Sequence, residues 1–412
     1  MTYKKVVLFF PHNPWPPKSG AHKRCLEIIS GLKEIDCEIF LLSSTLSSEN
    51  QWKESSIDAL KKKFVKDVLI YHPNKWDSYS IKLNQKFYTF LKINPPLNSG
   101  INSPIGICLW SSKIIREIVP DIIFMNYCYW DKLINHREFQ SIRRVIETHD
   151  LVTINTKMRD IISPYLSNKF IKANRIDDEL LKENFFEVLN LQTDEEEYKI
   201  YDQYQTTIAI SSTEKNLIEQ NTNKTKVILL PMTQEPCYLS NQYQDSALFP
   251  IGPNLFNIQG YFYFTQKVLP QILQEIPSFS WQVTGNFQFK LIPKPEERVI
   301  IRGFVPDLKK VYELSSFVIS PVIGGTGQQV KIVEAMAHGL PVIALKQRAE
   351  NSPINHGING FIANNAEEFA DYVKQLWQDR TLCRKLGKAA QETIAANFSR
   401  ELLTEKLLLI IS

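Results

Sequence analysis

Short, continuous apolar runs recur along the chain, each closing in polar or small residues before a loop or an amphipathic stretch. Runs of this kind read as strands buried on both faces, as in parallel sheets covered by helices. Val6–Phe10 is such a run. A loop with Pro16, Pro17, Ser19 and Gly20 follows, and then Cys25, Ile28, Ile29, Leu32 and Ile35 share one helical face. Glu38–Leu42 is the next run, so the chain opens as a βαβ unit. Asp121–Asn126, Val145–His149, Thr207–Ser211 and Val227–Pro231 continue the series.

A second series starts near Ala247. Ala247–Gly252 is strand-like, and Ile258–Ile276 reads as one long helix. Trp281–Gly285, Val299–Phe304, Phe317–Val322 and Pro341–Leu345 read as strands. Val330–His338 reads as a helix closed by Gly339, Glu367–Asp379 as an amphipathic helix, and more helix runs to the end. The 412 residues exceed one ordinary core. The expected fold is therefore α/β, with two Rossmann-like doubly wound domains facing a cleft. Residues 1–235 form the first domain and 236–397 the second, linked through the polar segment Met232–Ser246. The apolar segment 398–412 is expected to pack back on the first. Residues 47–103 have weak periodicity, and the acidic run Asp194–Glu197 reads as a solvated helix face.

Composition narrows the function. A hydrophobic fraction of 43%, 22% charged residues and a net charge of +4 suit a globular chain and give no reason to expect nucleic acid. The six cysteines form no C-x-x-C pair and have no histidine cluster beside them. They read as buried thiols in a reducing compartment rather than as zinc ligands or disulfides. The apolar run at the start is too short for a signal sequence, and no run reaches the ~18 residues of a spanning helix. A cytoplasmic location is expected. Lys61, Lys62, Lys63 and Lys66 around Phe64 are a candidate for peripheral contact with the inner face of an anionic membrane.

The segment Ser320-Pro-Val-Ile-Gly-Gly-Thr-Gly-Gln-Gln-Val-Lys-Ile-Val-Glu carries the chemistry. Gly324, Gly325 and Gly327 allow a tight turn and a close backbone approach. A helix follows at once, with its amides and positive end toward the turn, a good seat for phosphate. Lys331 adds a full charge near the helix start. Glu334 shares its face and can accept two ribose hydroxyls. The pattern is neither a P-loop nor a dinucleotide fingerprint.

This segment resembles the nucleotide-sugar site of retaining glycosyltransferases of family four, which have the two-domain B-type fold. Phe249-Pro-Ile-Gly-Pro-Asn, Trp281-Gln-Val-Thr-Gly, Arg302-Gly-Phe-Val-Pro-Asp and above all Glu334-Ala-Met-Ala-His-Gly-Leu-Pro-Val-Ile extend the resemblance. Glu147-Thr-His-Asp and Ile208-Ala-Ile-Ser-Ser carry it thinly into the first half. The resemblance implies transfer of a hexose-type sugar, with retention, from a UDP- or GDP-linked donor to a glycan, lipid-linked, protein or small-molecule acceptor. It implies no cofactor and no metal. It makes Glu334 the carboxylate on the donor ribose and Lys331 the cation on the diphosphate. His149 resembles the histidine that touches the transferred sugar. Gly20, Gly252, Gly325, Thr326 and Gly327 would approach the donor, and Phe304 and Val305 would lie against its base. Thr326 stands where the family usually has the first acid of a Glu, seven residues, Glu motif. In this it resembles a glycine-rich subgroup that also lacks that acid. The same departure leaves a non-catalytic subunit of this fold as one alternative. A nucleotide-sugar epimerase is another.

Overall fold

The computed structural model describes residues 3–46, 51–93, 95–97, 99–166, 176–238, 241–244, 246–252, 254–285, 297–349 and 352–412. Pro253 and parts of 47–103 and 232–246 lie outside these. Two compact units result. The first comprises Met1–Thr153, Thr193–Thr233 and Arg400–Ser412; the second comprises Ile154–Gln192 and Gln234–Ser399. The sequence reading groups 154–192 with the first domain, but these residues pack with the second unit. Gln259 Nε2 donates to the Leu180 carbonyl, and Phe186 meets Phe256 edge-on.

The first unit holds strands β1 (Lys4–Phe9), β2 (Cys37–Ser44), β3 (Asp67–Tyr71), β4 (Ile122–Asn126), β5 (Arg143–Glu147), β6 (Thr206–Ala209) and β7 (Lys226–Leu229). They form one sheet in the order β3-β2-β1-β4-β5-β6-β7, every pair parallel. The order turns back beside β1, which leaves a crevice at the carboxyl ends of β1 and β4. Helix α1 (Gly20–Glu34) buries Cys25, Ile28, Ile29 and Leu32 on the sheet, the face its periodicity predicts. The C-terminal helix Arg400–Ile411 adds Leu403, Leu407 and Ile410 to this core. It crosses α1 at Gly31, where a Cβ would lie 2.5 Å from Leu407. Each such leucine contributes roughly 1.5–3 kcal/mol by burial.

The second unit holds β8 (Ala247–Pro250), β9 (Trp281–Thr284), β10 (Val299–Gly303), β11 (Val318–Ser320), β12 (Val342–Leu345) and β13 (Gly360–Ala363). Their order is β10-β9-β8-β11-β12-β13, again all parallel. Its crevice lies at the ends of β8 and β11. The Ile258–Ile276 segment is not one regular helix. It runs as Leu255–Tyr263, a π-helical stretch Phe264–Val268, and Leu269–Glu275. Pro270 lacks the amide that would continue the ladder, which accounts for the break. Asp67–Tyr71 and Gly360–Ala363 are strands that the pattern did not reveal. The acidic run is a solvated face at Asp194 and Glu195, but Glu197 departs from that reading. It is fully buried and accepts from the Val152 and Thr153 amides, the Thr153 hydroxyl and the Tyr201 hydroxyl. All six cysteines are free; Cys108 and Cys237 are only half-buried.

Candidate functional site

The turn between β11 and the helix Val330–Ala337 lies at the second crevice. Gly325 takes φ +104°, a conformation that side chains disfavour. Gly324 has no room for a Cβ, which would meet Phe256 and Phe186 at 2.5 and 2.6 Å. Arg348, just after β12, clamps the turn. Its buried guanidinium donates to the Gly325 carbonyl and, at 2.6 Å, to the Gly327 carbonyl. Thr326 is buried and accepts from Asn155 Nδ2 at 3.1 Å. The loop's amide face is thus set by bonds on its carbonyl side.

Lys331 reaches from the first turn of the helix toward the end of β8. Its Nζ donates to Asn257 Oδ1 at 3.3 Å and lies 3.5 Å from where a Gly252 Cβ would stand. A Cβ added at 252 would make ordinary van der Waals contact with the ammonium. Burial lowers the Lys331 amine to about 7, and the nearby Glu334 carboxylate opposes this only in part. Glu334 also pushes up the hydroxyl of buried Tyr312, after the larger effect of burial itself. Tyr312 stacks on His338 at 4.6 Å, and His338 Nδ1 donates to the Glu334 carbonyl at 2.8 Å. Gly339, with φ +75°, closes the helix as the C′ residue. The helix start offers fewer amides than a free terminus would. Val330 N–H is donated to Gln328 and Ile332 N–H to Gln329. Charge at this turn therefore rests on Lys331 and on the Arg348 guanidinium behind the loop.

Sequence reasoning brought Lys331, Glu334, Gly252, Gly325, Thr326 and Gly327 to this one unit. It missed Arg348, Asn155 and Asn257. Nothing in spacing ties Arg348 to a loop more than twenty positions earlier; only the fold does. Phe304 and Val305 follow β10, beyond β9 from the Gly252 turn. Phe304 is 73% exposed, so core packing does not hold it there.

In the first unit, His149 ends the strand region of β5. Both His149 (φ +61°) and Tyr127 (φ +66°) take left-handed conformations, and their rings stack at 4.2 Å and 16°. Two such residues side by side store backbone strain, the kind concentrated at functional sites. Asn126 donates to the Phe9 carbonyl, so its Oδ1 accepts from His149 Nε2 at 2.7 Å. Nδ1 is then the ring's acceptor. Burial, with Arg24 adding to it, lowers His149 to about 3, and the ring is neutral. Beneath it Arg24 bonds Glu147 and Glu27 and donates to the Leu230 and Pro231 carbonyls. Burial raises the Glu147 carboxyl against the pull of Arg24. His22 lies near His12, with ring centroids 6.3 Å apart, and is lowered to about 4, first by burial and then by His12. Among the described residues no group of His, Cys, Asp and Glu could hold a metal ion. Gly20 opens α1 behind the Ser19 cap, which accepts from His22 N. The Lys61–Lys66 cluster is locally partnered. Lys61 pairs Asp67, Lys66 pairs Glu38, and Lys63 lies over Trp15.

Two parallel-sheet α/β units of this topology define the B-type glycosyltransferase fold, and solved structures of that class match over the whole chain. TarM of Staphylococcus aureus superposes with a TM-score of 0.65 at 13% identity, covering 100% of this chain and 99% of that one. HepE of Anabaena, solved with UDP-glucose, gives 0.59 at 14% identity, covering 99% of each. Residues 248–379 match the family model described as Glycosyl transferases group 1. The poly(ribitol-phosphate) alpha-N-acetylglucosaminyltransferase of Staphylococcus aureus is 23% identical over 239 residues, 50% of this chain and 48% of that protein. The matches span 24–48% of the length of the curated relatives. No helix among the described residues is long and apolar enough to cross a membrane.

Proposed function

We propose that the chain is a retaining glycosyltransferase that moves a hexose-type sugar from a UDP- or GDP-linked donor to a glycan acceptor. The observation that carries this reading is Lys331: a half-buried amine, lowered to about 7, beside Gly252 and Asn257 at the crevice of the second sheet. A cation held in that way is stabilised by a diphosphate. Glu334, on the same helix face, suits the ribose hydroxyls. The clamped turn of Gly325, Thr326 and Gly327 would let the donor approach backbone. Phe304, exposed after β10, would stack on the base with Val305. In the first unit, neutral His149 would accept a sugar hydroxyl at Nδ1, and Gly20 at the start of α1 would face phosphate. HepE crystallises with UDP-glucose, which supports a nucleotide-sugar donor here.

In the proposed step the bond from the anomeric carbon to the diphosphate oxygen breaks. Lys331 and oriented amides stabilise the charge that grows on the departing phosphate, with no metal in the scheme. That phosphate then takes the proton of the attacking acceptor hydroxyl. UDP and GDP are expected to bind at micromolar to millimolar concentration, and Lys331→Ala and Glu334→Ala to weaken both. Unchanged affinity in the two variants would remove the assignment.

Thr326 favours a second reading, a non-catalytic binding subunit. Where the family usually has an acid, this chain has a buried hydroxyl bonded to Asn155. Hydrolysis of a donor, or transfer to any acceptor, would exclude it.

A further inference from the structure

The helix Lys75–Leu91 is capped by Asn74 through a capping box, yet Asp77 is its only buried residue. Asp77 anchors the helix start, accepting from the Tyr71 hydroxyl and the Asn74 amide. Ile81, Asn84 and Tyr88, half-buried, continue that inner face. A second face is apolar and open. Trp76, Tyr79, Leu83, Phe87 and Phe90 follow one another three or four positions apart, the spacing of a single stripe. Trp76 is 80% and Phe90 84% exposed, and Tyr79, Leu83 and Phe87 are also exposed. Beside the stripe runs a row of cations. Lys75, Lys82 and Lys86 share one flank, and Lys92 follows the helix. All four are exposed, whereas Asp77, the only acid from 75 to 93, is buried. Lys82 and Lys86 border a shallow groove of about 390 Å³ completed by Gln85, Thr89 and Phe90. Ile105 and Leu109, exposed on the helix Ile105–Ile118, add apolar area near its root, where Gly106 abuts Asp77.

We propose that this helix is a membrane-surface anchor that lies in the headgroup layer of an anionic bilayer. Aromatic and aliphatic side chains on one face with lysines at its border match that interface in both layers. The apolar stripe enters the acyl boundary and the ammonium groups meet lipid phosphates. The charge row selects this partner over a second copy of the chain. A two-fold contact through the same face would bring two lysine rows together with no exposed acid on the helix to oppose them. The surface differs from the Lys61–Lys66 cluster, whose cations Lys61, Lys63 and Lys66 have local partners. It is independent of the proposed donor site.

The test is co-sedimentation of the full chain with vesicles of phosphatidylcholine alone and with a third phosphatidylglycerol. Binding is expected to the second and not to the first, and to weaken as salt rises. Lys82→Gln/Lys86→Gln is expected to reduce the affinity about thirty-fold, from about 1 kcal/mol per lysine. Trp76→Ser/Phe90→Ser is expected to abolish it. These side chains are exposed, so both variants should keep the wild-type melting temperature and circular dichroism. Equal binding to both vesicles, binding to neither, or an unchanged stripe variant would overturn the proposal. So would a dimer, seen by light scattering, that dissociates in the stripe variant and ignores vesicles.

Discussion

Replacing Lys331 with Met tests the donor site through protons rather than through activity. Burial holds the free amine at about 7. At pH 8 such an amine is about one-tenth protonated. A diphosphate oxygen against it favours the charged form and returns it toward its ordinary 10.4, where it is almost fully protonated at that pH. Binding of UDP at pH 8 should therefore take up about 0.9 proton. The affinity should fall roughly tenfold per pH unit from about 7 toward the bound value. Titration calorimetry in two buffers of different ionisation heat reads the uptake directly. Lys331→Met should remove the uptake and weaken UDP by one to two orders of magnitude at pH 7, the loss of a charge-assisted contact. The ligand-free protein gives the opposite sign. The folded amine is lowered and the unfolded one is ordinary, so the unfolded chain binds more protons between about 7 and 10.5. Wild-type stability should rise with pH across that window, and Lys331→Met should lack the rise while melting no lower at pH 7. A wild type that takes up no proton at pH 8, or a Met variant that takes up as many, would refute the placement of the diphosphate.

Three further outcomes follow from the same geometry. Glu334→Ala should weaken UDP about tenfold or more and inorganic pyrophosphate less, because the carboxylate is assigned to the ribose and acts on the diphosphate only through the charge of Lys331; competition calorimetry separates the two. Arg348→Lys should lower both the melting temperature and UDP affinity nearly as much as Arg348→Met, since one ammonium does not replace a fork that reaches two carbonyls. Arg24→Met should cost about 3–5 kcal/mol in denaturant unfolding by stranding Glu147 in the core, and Arg24→Met/Glu147→Leu should recover part of it.

The alternation of apolar runs was enough to read two parallel α/β sheets, because strands buried on both faces leave a continuous signal. What escaped was weaker for physical reasons. Asp67–Tyr71 holds a short apolar run, Val68–Tyr71, but it lies among lysines, asparagines and aromatics of weak periodicity, where so short a run does not stand out. The glycine turn of the candidate site was legible because Gly324, Gly325, Lys331 and Glu334 are close in sequence and lie within one loop and helix. Arg348 and Asn257 reach the same place from other elements, and no local pattern marks a side chain that serves a distant carbonyl or amine. Glu197 misled for a related cause. An acid beside other acids looks solvated until the fold turns two amides and two hydroxyls toward it.

The two sheets share one topology, so topology alone offers both crevices to a ligand; the electrostatics separate them. In the first unit the buried cation Arg24 is occupied by Glu147, Glu27 and two carbonyls. His149 above it is held neutral. An anion against Arg24 gains little that Glu147 and Glu27 do not already supply, and only the amide end of α1 at Gly20 is proposed to face phosphate in this unit. In the second unit Lys331 has a neutral amide oxygen as its hydrogen-bond acceptor, and Glu334 restores its charge only in part. A half-buried amine that titrates near neutrality is poorly solvated by its protein, and a dianion is the ligand that changes this most. On this ground the proposed function assigns the diphosphate to the second sheet. The neutral, strained pair Tyr127–His149 suits an uncharged, hydroxyl-bearing group instead. Moving the charge preference to the first unit would require freeing Arg24, which would strand Glu147 in the core.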